Sequence, residues 1–150
     1  MNRKIKFRGV ASNDVFSDDT AKPICKKGDI VYGHLIYMGD TPWIVGDLIE
    51  VDAEYTMLEQ WVKVDEGTES QYTGIEDKNG VEIFDGDIVN WHAFDWQGGD
   101  INGVGKVVIE DIGPTIDGDK HMLIDTSYFE DNCIEVIGNT YQNPELLELA

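Results

Sequence analysis

Residues 72–89 read YTGIEDKNGVEIFDGDIV, and this stretch carries the strongest local pattern in the chain. Two β-like runs flank Asn79-Gly80, and Asp85-Gly86 follows the second run. Asn-Gly between alternating runs is a strong hairpin signal, because both central residues of a type I′ turn need a positive φ. We therefore expect three short strands of a barrel, joined by corners at these two dipeptides.

The apolar residues of the whole chain also favour a β fold. Ile and Val total 29 of the 150 residues, whereas Leu and Ala total 12. Branching at Cβ restricts a side chain in a helix and suits a pleated sheet, and 16 glycines supply corners. Several short strands with frequent turns predict a small barrel or sandwich, as one domain or two very small ones.

In the first half of the chain, three segments have strand patterns: 5–10, 29–38 and 43–51, the last interrupted by Gly46-Asp47. Gly33 stands inside the second segment, which predicts a bulge or a close approach of another chain segment. Residues 11–23 are polar and predict a loop. Residues 53–62 fit either a short helix or a strand, and we favour the strand.

An acidic stretch with Gly67 marks an expected boundary between an N-terminal β region, residues 1–68, and a C-terminal region, residues 69–150. The C-terminal region has six strand-like segments: 72–76, 81–84, 87–91, 104–111, 120–125 and 133–137. The tail beginning at Asn143-Pro144 predicts a short helix, because Asn can cap a helix and Pro suits its first position.

Charge is distributed unevenly along the chain. Residues 1–27 hold seven Lys or Arg against three Asp, a net of +4, whereas residues 28–150 hold four Lys against 27 acids, a net of −23. DNA binding depends on Lys and Arg that neutralise phosphates, so we expect no direct nucleic-acid binding by the acidic part. Four cations of the basic arm are candidate partner contacts: Arg3, Lys4, Lys6 and Arg8.

The acids and glycines of the opening stretch also raise the question of a calcium site. An EF-hand loop needs oxygen ligands at fixed positions and ends on a Glu. If Asp77 and Asn79 take the third and fifth positions, Ile75 and Gly86 fall on the first and the twelfth. The spacing therefore favours turns over a dedicated metal site.

Catalytic chemistry has no recognisable pattern in this sequence. Three histidines are scattered along it: His34, His92 and His121. They lack zinc-ligand spacing, and no nucleophile, base and orienting group come together. His34 lies within a predicted strand, where we expect it to be packed. We predict no catalytic residue, no metal and no cofactor.

The segment WHAFDWQGG, residues 91–99, carries the aromatic residues that a purely structural reading explains least. Trp91, His92, Phe94 and Trp96 form a candidate partner-binding patch if the segment is an exposed loop, because Trp is enriched at binding hot spots. The alternative, which we favour slightly, is that Trp91 and Phe94 belong to the core and only Trp96 is exposed.

Targeting and redox features are sparse. No apolar run is long enough to span a membrane, and the basic N-terminus lacks the apolar region of a signal peptide. Cys25 and Cys133 are far apart in sequence. We expect two free thiols in a cytosolic chain, while the sequence leaves a disulfide between them open.

The stretch QYTGIEDKNGVEIFDGDIV, residues 71–89, resembles the signature of the YopX family of phage and prophage proteins. Further family motifs have similar segments here, in the same order: IKFRG at 5–9, VYGHLI at 31–36, WVKVD at 61–65, CIEVIGN at 133–139 and NPELL at 143–147. The family has a proline between the acids of its VDPET motif, and this chain has VDEGT at 64–68. That difference changes no chemistry.

The resemblance implies a mainly β protein with little helix. It implies a small N-terminal β region, a C-terminal SH3-like barrel and a short C-terminal helix. Self-association and a setting in the bacterial cytoplasm during phage infection or lysogeny are also implied. The family supplies no established activity and no catalytic residues.

Three hypotheses follow. The first is a non-enzymatic, homo-oligomeric phage accessory protein that binds a host or phage protein, with residues 5–10 and 24–38 contributing to self-association. The second is an acidic decoy for a host DNA-binding protein, in which arrayed carboxylates imitate phosphates. The third is an enzyme with an unrecognised site. The sequence names neither the partner nor the number of subunits.

Overall fold

A computed structural model of the protein describes residues 5–16, 23–51, 53–54, 56–58, 60–94, 99–110, 113–117, 121–122 and 134–149. Within these ranges the protein is mainly β, which confirms the fold class expected from composition. Helical structure in the described ranges is confined to one 3₁₀ helix, Pro144–Leu149. No helix among these residues is both long and apolar enough to cross a membrane.

The chain forms two compact units, Met1–Gln71 and Tyr72–Ala150. The N-terminal unit contains eight described strands: β1 Phe7–Val10, β2 Val15–Phe16, β3 Pro23–Cys25, β4 Ile30–Met38, β5 Thr41–Val45, β6 Leu48–Val51, β7 Thr56–Leu58 and β8 Trp61–Lys63. A ninth strand, β9 Ser70–Glu76, begins in this unit and continues into the next.

The main N-terminal sheet is antiparallel, with β1 between β4 and the first residues of β9, and with β5 and β8 beyond β4. β4 and β5 form a hairpin in which Met38 pairs with Thr41. Gly39 occupies its two-residue turn with a φ of +63°, a conformation that glycine adopts without steric cost. β2 pairs with β3, and β6 pairs with β7, in two small separate sheets.

Close packing brings strands of the N-terminal unit together at two glycines. A Cβ on Gly33 would lie 2.3 Å from the carbonyl oxygen of Val45, which confirms the close approach expected at this glycine. A Cβ on Gly9 would lie 2.8 Å from the side chain of Val64. An isolated bridge between Ala11 and Val64 joins the continuation of β1 to the residue after β8, so the sheet curls around its core.

The core of the N-terminal unit is a cluster of buried residues: Ala11, Cys25, Val31, Ile44, Val62 and Val64. Phe7 packs against this cluster, and Gly9 lies on the same side of β1. Both placements agree with the faces expected for the first strand.

Two ambiguous segments are β structure. Residues 56–58 and 61–63 are strands, so the strand interpretation of residues 53–62 is confirmed over the parts that the structure describes. The expectation of a continuous loop over residues 11–23 was wrong at Val15–Phe16, which forms β2. Val15 pairs with Cys25, and this long-range pairing leaves no local signal in a polar segment.

The C-terminal unit contains the rest of β9 and six further described strands: β10 Glu82–Phe84, β11 Asp87–Phe94, β12 Asp100–Glu110, β13 Gly113–Asp117, β14 His121–Met122 and β15 Ile134–Asn139. Five of them form an antiparallel sheet in the order β14-β13-β12-β11-β15. The core joins this sheet to β10 through six buried residues: Ile83, Val89, Trp91, Val107, Ile116 and Ile134.

β13 was not expected, because Gly113-Pro114 has the composition of a turn. Pro114 nevertheless pairs with Ile109 of β12. On the other side, β14 reaches only Thr115 and Ile116, so Pro114 lies beyond the part of β13 that is paired on both edges. A proline, which has no amide hydrogen to donate, is tolerated at such a position.

The C-terminal sheet is open over the residues that the structure describes, because its edge strands β14 and β15 do not pair with each other there. A closed SH3-like barrel is therefore not confirmed. The expected C-terminal helix is present and is of the 3₁₀ type, with the amide of Leu146 donating to the carbonyl of Asn143 at 3.1 Å.

Candidate protein-binding surface

Asp77, in the stretch that raised the question of an acidic site, is a buried structural acceptor. Its side chain is 3% exposed. One carboxylate oxygen accepts the backbone amides of Asn79 at 2.8 Å and Val81 at 2.9 Å. The other accepts the amide of Val136 in β15 at 2.9 Å. Both oxygens are thus used to hold the turn and to fasten it to an edge strand.

The corner at Asn79-Gly80 is confirmed, but its loop differs from the expected two-residue type I′ turn. The amide of Asp77 donates to the carbonyl of Val81, which leaves a three-residue loop. The amide of Gly80 donates to the carbonyl of Asp77 at 3.0 Å, and Gly80 has a φ of +80°. A turn followed by a glycine in the left-handed region is the usual form of a three-residue hairpin loop.

The second corner is built in a similar way. Asp87 is 1% exposed, and its carboxylate accepts the amide of Phe84 at 2.8 Å across the corner. Gly86 has a φ of +86°, and a Cβ there would lie 3.0 Å from the hydroxyl oxygen of Tyr141. The acids and glycines of the opening stretch therefore shape corners. No group of three metal-ligating side chains occurs among the described residues.

The aromatic segment after this stretch begins as a strand. β11 runs through Phe94, and its residues His92 and Phe94 pair with Asn102 and Asp100 of β12. Trp91 is 4% exposed and belongs to the C-terminal core, so it is not part of an exposed patch. His92 is half-buried. Trp96 lies outside the described residues.

Two cations of the basic arm can be placed, whereas Arg3 and Lys4 lie outside the described residues. Arg8 is 4% exposed, and its Nε donates to the hydroxyl of Ser70 at 3.2 Å. The ammonium of Lys6 lies 5.5 Å from the centre of the Tyr32 ring, within the range of a cation–π contact. Arg8 is thus tied into the sheet, and Lys6 lies on its surface.

The side of β1, β4 and β5 that faces away from the N-terminal core forms a continuous surface, which we call the outer face. Directly opposite residues on antiparallel strands share a face, and Arg8 pairs with Tyr32 while Ile36 pairs with Trp43. The alternation of β4 adds its other even-numbered residues. The outer face comprises Lys6, Tyr32, His34, Ile36, Met38 and Trp43.

Large apolar side chains are exposed on the outer face. Tyr32 is 47% exposed and Met38 is 45% exposed, while Ile36 and Trp43 are half-buried. The expectation that His34 is packed was wrong, since its side chain is 57% exposed and its Nε2 lies 3.2 Å from a carboxylate oxygen of Asp47. The even positions of β4 point away from the core, and this decides the exposure of His34.

An open, polar cavity of about 430 Å³ lies elsewhere in the N-terminal unit. It is lined by Ser12, Thr41 and Lys63 and by the carboxylates of Asp40 and Asp65, among others. The hydroxyl of Ser12 donates to Asp65 at 2.7 Å. The cavity is acidic and differs in chemical character from the outer face.

Burial suppresses the reactivity of Cys25. The thiol is free and buried, and burial raises its pKa, with a further contribution from the charge of Asp29. A raised pKa lowers the thiolate fraction, so Cys25 is a poor nucleophile. Cys133 lies outside the described residues. Burial likewise raises the pKa of the Tyr72 hydroxyl, and the carboxylates of Glu82 and Glu76 act in the same direction.

Sequence reasoning missed the outer face. It placed the aromatic candidates after residue 90, whereas Tyr32 and Trp43 are brought together by the β4–β5 hairpin and its register. The available signal was the apolar character of both alternating faces of DIVYGHLIYM, residues 29–38, which predicts a strand with more apolar surface than one core can cover.

Comparison with known proteins supports the fold. A crystal structure of protein EF1440 from Enterococcus faecalis is similar to this chain with a TM-score of 0.55 and 21% identity, over 97% of this chain and 99% of the other. No curated protein sequence matches the chain. The family model described as YopX protein matches residues 45–148. This match covers more than half of the chain and includes the signature hairpin, and the chain therefore belongs to the YopX family.

Proposed function

We propose that the protein is a phage or prophage accessory protein without enzymatic activity, which binds another protein and forms a homo-oligomer in the cytoplasm of a bacterial host. The outer face is the observation that carries this proposal. Tyr32 and Met38 are 47% and 45% exposed there, beside the half-buried Trp43. Clustered exposed apolar side chains on a small domain are typical of interaction surfaces.

Self-association is proposed to use a different surface. β1 lies between β4 and β9, and β4 lies between β1 and β5, so neither strand offers a free edge to a second chain. The segments expected to self-associate must therefore use side chains. Three large apolar side chains near them are exposed: Ile5 at 66%, Phe16 at 54% and Ile24 at 45%. Their burial would drive association by the hydrophobic effect.

Light scattering after size-exclusion chromatography tests the oligomer. Deletion of residues 1–27 is unsuitable, because it removes β1 from the middle of its sheet. The double variant Phe16→Asp, Ile24→Asp instead places charges on the proposed contact, and we expect its mass to fall to that of a monomer. Val81→Asp is the matched control, since Val81 is 47% exposed in the other unit. A monomeric wild-type protein would contradict the oligomer.

Binding of another protein is tested by capture from host lysate on the immobilised full chain. The expected result is a partner that is retained by the wild type and lost when Tyr32→Ala and Trp43→Ala are combined. The Val81→Asp variant again serves as control. Equal capture by all three proteins would mean that the outer face is not used.

The second candidate is an acidic decoy of a host DNA-binding protein. Its support is the charge of residues 28–150, where 27 acids face four Lys. Such an array can imitate the phosphates that DNA-binding proteins recognise. Lysate capture at rising salt separates the candidates, because a decoy should release a DNA-binding protein steeply with salt. Salt-insensitive capture would reject the decoy.

An SH3-like class for the C-terminal sheet also remains a proposal. Five antiparallel strands and a 3₁₀ helix in this unit support it. The absence of catalysis is tested by metal analysis of the purified protein, since zinc or manganese at unit stoichiometry would point to an enzyme instead.

A further inference from the structure

The outer face is bordered by the most basic part of the chain. Residues 1–10 contain four Lys or Arg and no acid, whereas residues 28–150 carry a net charge of −23. Lys6 is held over Tyr32 on the outer face at 5.5 Å from the ring centre. Cationic and aromatic groups are therefore adjacent in a chain whose remaining surface is strongly acidic.

The shape of the outer face suits an extended segment. Tyr32, Ile36 and Met38 lie on one side of β4 over six residue steps, which span roughly 20 Å. Trp43 lies beside Ile36 and widens the apolar stripe at one end. At the other end, Tyr32 lies next to Lys6 and the buried Arg8. The stripe thus has a cationic end and an apolar end.

We propose that the outer face binds an acidic, aromatic-containing segment of another protein, with the acidic side chains placed at Lys6 and the apolar side chains placed along β4 to Trp43. This inference rests on the proposed protein-binding function and specifies the chemistry of the partner. Charge complementarity selects acidic side chains at the basic end. Large apolar side chains fit the other end, where contact with Trp43 removes apolar area from water.

A nucleic acid fits the same face less well. Non-specific binding of a single strand needs a row of cations along its backbone, together with aromatic stacking. On the described part of the outer face, Lys6 is the cation at the surface, since Arg8 is 4% exposed and bonded to Ser70. A net charge of −19 also opposes the approach of a long polyanion.

A second copy of the chain is also a poorer fit to this face. Two copies that each carry −19 repel each other, and the repulsion grows with the number of acids brought together. A short segment of another protein can bring a few acids to Lys6 without that cost.

The test uses the full-length protein and a display library of random dodecapeptides. Clones are selected on the wild type and counter-selected on the double variant Lys6→Glu, Tyr32→Ala, whose fold is verified by circular dichroism. Selected peptides are then synthesised and their affinity is measured by fluorescence anisotropy. Lys27→Glu is the matched control, because it makes the same charge change at an exposed residue away from the outer face.

We expect the selected peptides to carry a net negative charge and at least one aromatic residue. Lys6→Glu should weaken their binding about tenfold, and Trp43→Ala about tenfold or more, with little change in Lys27→Glu. Basic or uncharged clones, or clones that bind the double variant equally well, would overturn the inference. A failure to select any clone would overturn it as well.

Two further measurements exclude the other occupants. Oligothymidylate that binds the wild type and competes with the selected peptides would assign the face to nucleic acid. A mass in light scattering that falls in Lys6→Glu or Trp43→Ala would assign the face to a second copy. Loss of peptide selection with an unchanged oligomer and unchanged lysate capture would reject this inference while leaving the proposed function standing.

Discussion

Asp77 shows how one residue of a turn fixes a distant strand. Its carboxylate accepts three backbone amides, two in its own loop and one from Val136, and the side chain is 3% exposed. A hydrogen bond to a charged acceptor is stronger than a neutral one. The sequence marks the loop by its composition, but the bond to Val136 spans 59 positions and follows from the tertiary fold.

Replacing Asp77 by Ala should destabilise the protein by about 3 kcal/mol, because three amide donors lose a charged acceptor in a buried setting. Asp77→Asn, which retains one carboxamide oxygen, should lose less. Urea denaturation followed by tryptophan fluorescence measures the free energy of unfolding. Asp40→Ala, at an exposed turn position, is the control and should change it by less than about 0.5 kcal/mol. A similar small loss for Asp77→Ala would contradict this role.

Tyr72 gives a prediction for alkaline solution. Burial and the nearby Glu82 and Glu76 raise the pKa of its hydroxyl in the folded state. The unfolded chain therefore releases this proton at lower pH and binds fewer protons above about pH 10. The stability contributed by Tyr72 is present below that pH and is lost as the pH rises through the folded pKa.

Urea midpoints between about pH 8 and pH 11 test the sign of this effect. Tyr72→Phe should make the loss of stability with rising pH less steep, since it removes the shifted group. Tyr32→Phe removes an exposed hydroxyl and should leave the slope unchanged. An unchanged slope in Tyr72→Phe would show that ionisation of Tyr72 is not linked to unfolding.

At the scale of elements, local turn chemistry predicts hairpins better than it predicts central strands. Gly39 with its positive φ and the corner at Gly80 lie where the sequence places turns. β13 breaks this rule, because Gly113-Pro114 reads as a turn and yet pairs with β12. Pairing with a strand that precedes it overrides the weak β-propensity of these two residues.

Moving the proline by one position tests the pairing of β13. Thr115 pairs with both Val108 and Met122, so its backbone lies between two strands. Thr115→Pro should destabilise the protein by about 3 kcal/mol or more through the lost amide and the fixed φ. Pro114→Ala, the control, should be nearly neutral. The free energy of unfolding in urea measures both, and equal effects would mean that Thr115 is not paired on both edges.

At the scale of the whole molecule, charge is the dominant property. A net of −19 on 150 residues exceeds the magnitude of about 2–8 that suits a small domain. Self-repulsion of this kind destabilises a compact state, and salt screens it over about 10 Å at 0.1 M. The packed cores of the two units must therefore outweigh a charge that opposes folding.

Raising the salt concentration should stabilise this protein. Between low salt and about 0.5 M NaCl we expect the thermal midpoint to rise by roughly 2–4 °C, which corresponds to about 1 kcal/mol. Circular dichroism at fixed pH measures the midpoint. Sodium fluoride, which screens equally, is the control for specific chloride binding. A midpoint that falls with salt would mean that attractive charge pairs outweigh the repulsion.

The mainly β fold, the corners at Gly39, Gly80 and Gly86 and the short terminal helix could be read from the sequence, because turn residues and β-branched residues act through local backbone sterics. Family membership also followed from consecutive motifs. β2 and β13 could not be read, since their pairing partners lie elsewhere in the chain.

The sequence by itself determined the period of the strands, the places where the chain turns and the asymmetry of charge. Only the tertiary structure decided which faces of those strands are covered. Trp91 of the expected aromatic patch is buried, whereas Tyr32 and His34, within an apolar strand, are exposed. The physical reason is that burial depends on what packs against a face. Alternation along a strand divides side chains into two sets, and long-range packing selects the buried set.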